Sequence, residues 1–113
     1  MKGKIIIFSG YVATGKTTFS QKISDVLNIS CFNKDLLKTV LGKNIEINTR
    51  EISSQYSVTT FNIMVHIMEI FLKQNKPLII ESNFKPSEGK IIKELLDFYK
   101  YDSLTFLMIG DLK

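Results

Sequence analysis

The segment KIIIFSGYVATGKTTFSQKI, residues 4 to 23, asks three things of the chain in succession. Its unbroken apolar run, Ile5 to Phe8, suits a strand covered on both faces, since a strand with one wet face would alternate apolar and polar residues. Gly10 closes that run and Gly15 follows shortly after. From Lys16 on, Phe19, Ile23, Val26 and Leu27 recur at the spacing of one helix face, predicting a helix that ends near Asn28. A strand that passes through a glycine-bounded bend directly into a helix implies a layered α/β arrangement for the rest of the chain.

The bend satisfies G-x-x-x-x-G-K-[ST] as Gly10, Gly15, Lys16 and Thr17. Glycine at Gly10 and Gly15 lets the backbone turn so that consecutive N–H groups aim inward, where a Cβ would obstruct them. The amides from Ala13 and Thr14 through Gly15, Lys16, Thr17 and Thr18 then cradle phosphate oxygens, aided by the positive end of the following helix. Lys16 would reach the β and γ phosphates, the Thr17 hydroxyl would ligate Mg2+, and Thr18 would contact the α phosphate. An ordinary glycine turn needs neither Lys16 nor Thr17. The pattern therefore predicts a nucleotide site of the ATP type with magnesium as cofactor.

Further along, a short strand is expected at 29 to 32. In NKDLLKTVLG, Asn33 caps a second helix with Leu36, Leu37, Val40 and Leu41 on its apolar side, and Gly42 ends it. Residues 43 to 56 show no clean period and collect Asn, Thr and Ser, so a loop is expected there. A long helix should start near Ser57, with Phe61, Met64, Val65, Met68, Phe71 and Leu72 inward and Asn75 to Pro77 closing it. PLIIES reads as a buried strand, Pro86 and Ser87 open a fourth helix with Ile91, Ile92, Leu95, Leu96 and Tyr99 inward, and Leu104 to Ile109 make a fourth strand. Strands alternating with helices call for a parallel sheet with crossovers, an α/β fold in one domain over residues 1–113.

Two acidic residues fall where parallel strands gather ligands at their carboxyl ends. Asp35, just after the second strand, would either accept the proton of an attacking hydroxyl or simply favour the first turn of its helix, and spacing alone does not choose. Glu81, ending the third strand, would bind magnesium directly or through water, or stand solvated. Ser82, Asn83 and Lys85 lie in the next loop, within reach of phosphate or substrate.

Composition narrows the partners. The 15 basic and 11 acidic residues give +4, but the lysines are scattered and Arg50 is the sole arginine, which speaks against a nucleic-acid-binding face. Cys31 is the single cysteine, so no internal disulfide forms, and a buried strand position is expected for it. No apolar run is long enough for a signal core or a membrane span, and a cytoplasmic location is expected. His66 has no ligand-spaced neighbours and reads as a core or boundary residue; Met64, Met68, Tyr56, Phe84, Tyr99 and Tyr101 read as packing.

Through IIIFSGYVATGKTTFSQKI, CFNKDLLKTVLG and PLIIESNF the chain resembles the small P-loop kinases, whose relatives include polynucleotide 5′-hydroxyl kinase, chloramphenicol phosphotransferase and zeta toxins. The resemblance implies that Asp35 binds or deprotonates the acceptor hydroxyl, that Glu81 is associated with magnesium, and that the sheet is ordered 2-3-1-4. It also implies transfer of the γ-phosphoryl of ATP to a hydroxyl of a small molecule or a polynucleotide end. Members of that family continue past the fourth strand into an arginine-bearing lid and a fifth strand, whereas this sequence stops at FLMIGDLK. A fragment, or a site completed by a partner chain, is the corresponding expectation. An uncovered sheet face and edge would favour a homodimer, and a nucleotide-binding module without chemistry is the alternative function.

Overall fold

The computed structural model describes residues 4–10, 16–43 and 49–108. The chain runs β1 (Lys4–Gly10), α1 (Lys16–Leu27), β2 (Cys31–Asn33), α2 (Lys34–Leu41), α3 (Arg50–Lys73), β3 (Leu78–Glu81), α4 (Pro86–Phe98) and β4 (Asp102–Met108). The strands form one parallel sheet in the order β2-β3-β1-β4, the order that the kinase resemblance implies.

Strand alternation divides the core between the two faces. Ile5, Leu78 and Ile80 pack with Phe61, Met64, Met68 and Leu72 of α3 and with Ile92 and Leu96 of α4. On the opposite face Phe8, Ile29 and Ile79 pack with Ile6, Ile23 and Cys31. Every residue of β3 is buried, as a strand clad on both faces requires. Phe8 pairs laterally with Glu81, and Glu81 with Asn33, so these three side chains share the α1 face at the carboxyl end of the sheet.

Helix starts follow the capping rules. The Asn33 side chain accepts from the Leu36 amide at 3.0 Å, and Gly42 ends α2 as expected. Pro86 occupies the first turn of α4, while Glu88 reaches back to accept from the Lys85 amide at 3.0 Å. The main departure is α3, which begins at Arg50 rather than near Ser57, with Thr49 accepting from the Ile52 amide at 3.1 Å. Its first turns show no apolar period because they meet α2 through polar contacts: Lys38 Nζ donates to Ser53 Oγ at 2.9 Å and Lys34 Nζ to Ser57 Oγ at 3.0 Å. Of the expected loop, residues 44–48 lie outside the described residues.

Further expectations are corrected in detail. Leu37 packs inward on α2 and Leu41 is half-buried, but Leu36 and Val40 are exposed; on α1, Ile23 packs inward whereas Phe19, Val26 and Leu27 are exposed, and Ile91 is exposed on α4. His66 is exposed on α3, not in the core or at its boundary. The methionines and tyrosines behave as expected: Met64 and Met68 are buried, and the Tyr101 hydroxyl lies 2.8 Å from the Lys76 carbonyl.

Three helices end alike. Asn28, Asn75 and Lys100 adopt φ of 55°, 56° and 56°, and the next amide donates back across each end: Ile29 to Ser24 O, Lys76 to Phe71 O and Tyr101 to Leu96 O. Asparagine tolerates this left-handed position and lysine does so poorly. Lys100→Gly should therefore raise stability by roughly 0.5–1 kcal/mol, the relieved strain less the added freedom of the unfolded chain, as a higher denaturant midpoint at unchanged slope.

Candidate functional site

The carboxyl end of the sheet gathers the residues of interest. Glu81, at the tip of β3, is only 1% exposed, so its carboxylate needs donors supplied by the protein. Ser20 Oγ, from the second turn of α1, donates to Oε1 at 2.5 Å, and Asn33 Nδ2 donates to Oε2 at 2.7 Å. Glu81 is thus not the solvated strand end that composition allowed. It joins the helix that follows the glycine bend to the helix that carries Asp35.

A second buried polar group stands on the other side of the α2 start. Lys34 Nζ lies 2.9 Å from Glu88 Oε2, with both side chains almost fully enclosed, and 5.9 Å from the centre of the Phe61 ring. With the Ser57 contact, this one ammonium ties α2 to α3 and α4. Asp35 follows directly and is exposed in the first turn of α2, where a carboxylate also suits the helix dipole.

The remaining expected site residues divide as follows. Lys16 and Thr17 open α1, directly after residues 11–15, which lie outside the described residues, and Thr18 is exposed. Gly10 ends β1; Ala13, Thr14 and Gly15, together with the side chains of Lys16 and Thr17, lie outside the described residues. Ser82 is buried, its amide extending the sheet by donating to Phe8 O at 3.0 Å, while Asn83 and Lys85 are exposed. Arg50 is exposed in the first turn of α3. Cys31 is half-buried beside Ser20 and Glu81; burial pushes its thiol pKa up, the Ser20 hydrogen bond opposes that, and the Glu81 charge adds to it.

Sequence reading missed Ser20, Lys34, Ser57 and Glu88 as partners. Glu88, third residue of a helix opening on Pro86, carried a capping signal, but nothing local marks a lysine as buried. A groove of about 490 Å3 runs from Ser9 and Phe84 along α4 to Tyr101, on the opposite sheet face from Glu81. Among the described residues no group of three or more His, Cys, Asp and Glu could hold a metal ion, and no helix is long and apolar enough to cross a membrane.

No family model matches the sequence. No curated protein matches it either. Solved structures do. A provisionally assigned kinase from Chloroflexus aurantiacus superposes with a TM-score of 0.87 at 27% identity, over 96% of this chain and 60% of that one. The chain has the fold of P-loop kinases. The Mycobacterium tuberculosis APS kinase CysC, solved with AMPPNP and APS, gives 0.69 at 14% identity over 98% of this chain and 65% of that one. Thymidylate kinase from Ehrlichia chaffeensis gives 0.56 at 18% identity over 96% of this chain and 78% of that one. The chain thus spans about three fifths of the length of the Chloroflexus protein.

The buried ion pair yields a direct test of its role. Lys34→Met strands a buried carboxylate and should cost about 3 kcal/mol of unfolding free energy. Adding Glu88→Gln, which removes the charge yet still accepts from the Lys85 amide, should recover part of that loss in chemical denaturation.

Proposed function

We propose that this chain binds ATP with magnesium and transfers the γ-phosphoryl to a hydroxyl of a small-molecule or polynucleotide acceptor. The observation that carries the proposal is the start of α1 at Lys16, directly after the glycine bend at the tip of the central strand of a P-loop kinase fold. That is where a helix N-terminus and inward amides bind phosphate.

The oxygen donors Thr17 and Glu81 are of the type that magnesium takes. This hard cation takes oxygen ligands and is commonly held by one or two protein groups together with substrate phosphates and water. The Thr17 hydroxyl would hold it directly, and the Glu81 carboxylate, whose two oxygens already accept from Ser20 and Asn33, through a bridging water. When bound, it neutralises charge on the β and γ phosphates. The amides from Ala13 to Thr18, with Gly10 allowing the turn, would cradle the phosphates, and Lys16 would offset the charge that grows on the leaving β-phosphate oxygen. The acceptor oxygen forms its bond to γ-phosphorus as the bond from γ-phosphorus to the β–γ bridging oxygen breaks. The hydroxyl proton passes to Asp35, which orients the nucleophile in line.

Calorimetry with ATP and GTP in magnesium tests the binding, and labelled ATP with candidate acceptors, read by mass spectrometry, tests the transfer. Lys16→Ala should lower nucleotide affinity by an order of magnitude or more. Asp35→Asn should abolish transfer while leaving affinity within about two-fold. Undiminished transfer in the Asp35 variant overturns its assignment, and intact nucleotide with every acceptor would favour a binding module without chemistry.

Self-association is the proposed partner arrangement. Phe19, Val26 and Leu27 leave apolar surface exposed on α1, which association would cover. Light scattering should give twice the chain mass at micromolar concentration, and a stable monomer there rules it out.

A further inference from the structure

We infer that Asn33 is the positioning residue of this site, coupling the phosphate-binding helix α1 to the helix that carries Asp35. The inference rests on the reading of the glycine bend and of Asp35 proposed above. It starts from the two ends of one amide. Asn33 Oδ1 accepts from the Leu36 amide at 3.0 Å and so fixes the first turn of α2, while Nδ2 donates to Glu81 Oε2 at 2.7 Å. Glu81 Oε1 in turn accepts from Ser20 Oγ at 2.5 Å, one turn beyond Lys16 and Thr17 on α1. A chain of short hydrogen bonds therefore runs from the start of α2, through the tip of β3, to α1.

The residue type is selected by this double task. Aspartate caps a helix as well as asparagine does, but it has no proton to give Glu81. The bond is enclosed, where a charge-assisted contact is strong and a broken one is costly. A shift of α1 as phosphate seats at its N-terminus is then transmitted to the turn that bears Asp35, which places the acceptor group when nucleotide is present.

Two variants of the full chain isolate the link. Asn33→Asp keeps the cap and sets two carboxylates against each other. Asn33→Asp combined with Glu81→Gln exchanges donor and acceptor: the introduced glutamine can still accept from Ser20 and now donates to the introduced aspartate, which still caps α2. Hydrogen exchange at Leu36 and its neighbours is followed with and without AMPPNP and magnesium. In the native protein the nucleotide should raise protection of this turn by about five-fold or more. Asn33→Asp should lose that response. A response that survives Asn33→Asp overturns the coupling.

Thermal unfolding of the same variants keeps the test decisive whether or not nucleotide binds. Asn33→Asp should lower the melting temperature by roughly 5–15 °C, and the exchanged pair should recover most of that loss. A melting temperature of the exchanged pair no higher than that of Asn33→Asp overturns the link itself. Absence of any calorimetric response of the native protein to nucleotide counts instead against the kinase reading, and the melting comparison then decides whether Asn33 positions α2 through Glu81.

Discussion

A carboxyl group enclosed to 1% exposure needs hydrogen-bond partners from the protein, and Glu81 is such a group. Two of its donors come from residues 61 and 48 positions away in sequence, on two other elements. Both depend on the register of a parallel sheet. Asn33 stands beside Glu81 because β2 pairs with β3 as Cys31 to Ile79 and Asn33 to Glu81. A slip of one residue would turn Asn33 to the α3 and α4 face and bury Phe32 against α1. The pairing that aligns the apolar residues of the two faces is the same pairing that satisfies the buried charge, so the core and the site impose one constraint.

The start of α2 is consequently held from both sides. Asn33 is the last residue of β2 and Lys34 the first of α2, and they point to different layers: Asn33 toward α1, Lys34 toward Glu88, Ser57 and the Phe61 ring. Neither contact is apolar. A buried ion pair contributes little net stability compared with a well-packed apolar pair, because its desolvation offsets most of the attraction. What it contributes is direction, since a lysine with one enclosed carboxylate and one hydroxyl in reach fixes where its own backbone sits. For a helix of only 8 residues, too short to be stable by itself, such anchoring sets its position.

Most of the architecture was legible because it is written in local patterns. Ile5 to Phe8, the Gly10 and Gly15 spacing, the Met64, Met68 and Leu72 stripe and the PLII run each specify an element from neighbours in sequence. The Asn33 cap was legible for the same reason. What escaped were contacts that exist only after the layers close. Ser53 and Ser57 look like loop residues until Lys38 and Lys34 arrive from α2, which is why the first turns of α3 read as irregular. Likewise Val26 fits the apolar spacing of α1, yet that helix presents a narrower stripe to the sheet than its composition suggests. At the site itself the sequence named Glu81 and Asp35 but could not tell an enclosed carboxylate from an exposed one, because burial depends on which strands are central.

The contrast between those two carboxylates bears on the chemistry. Asp35 directly follows a lysine, and a lysine left in water beside it would be a competing partner for its carboxylate. Glu88 removes that competition by holding Lys34 at 2.9 Å on the far side of α2, within the α3 and α4 layer. The arrangement thus places Glu81 under the protein's own donors and leaves Asp35 exposed at the strand ends, where a substrate can reach it.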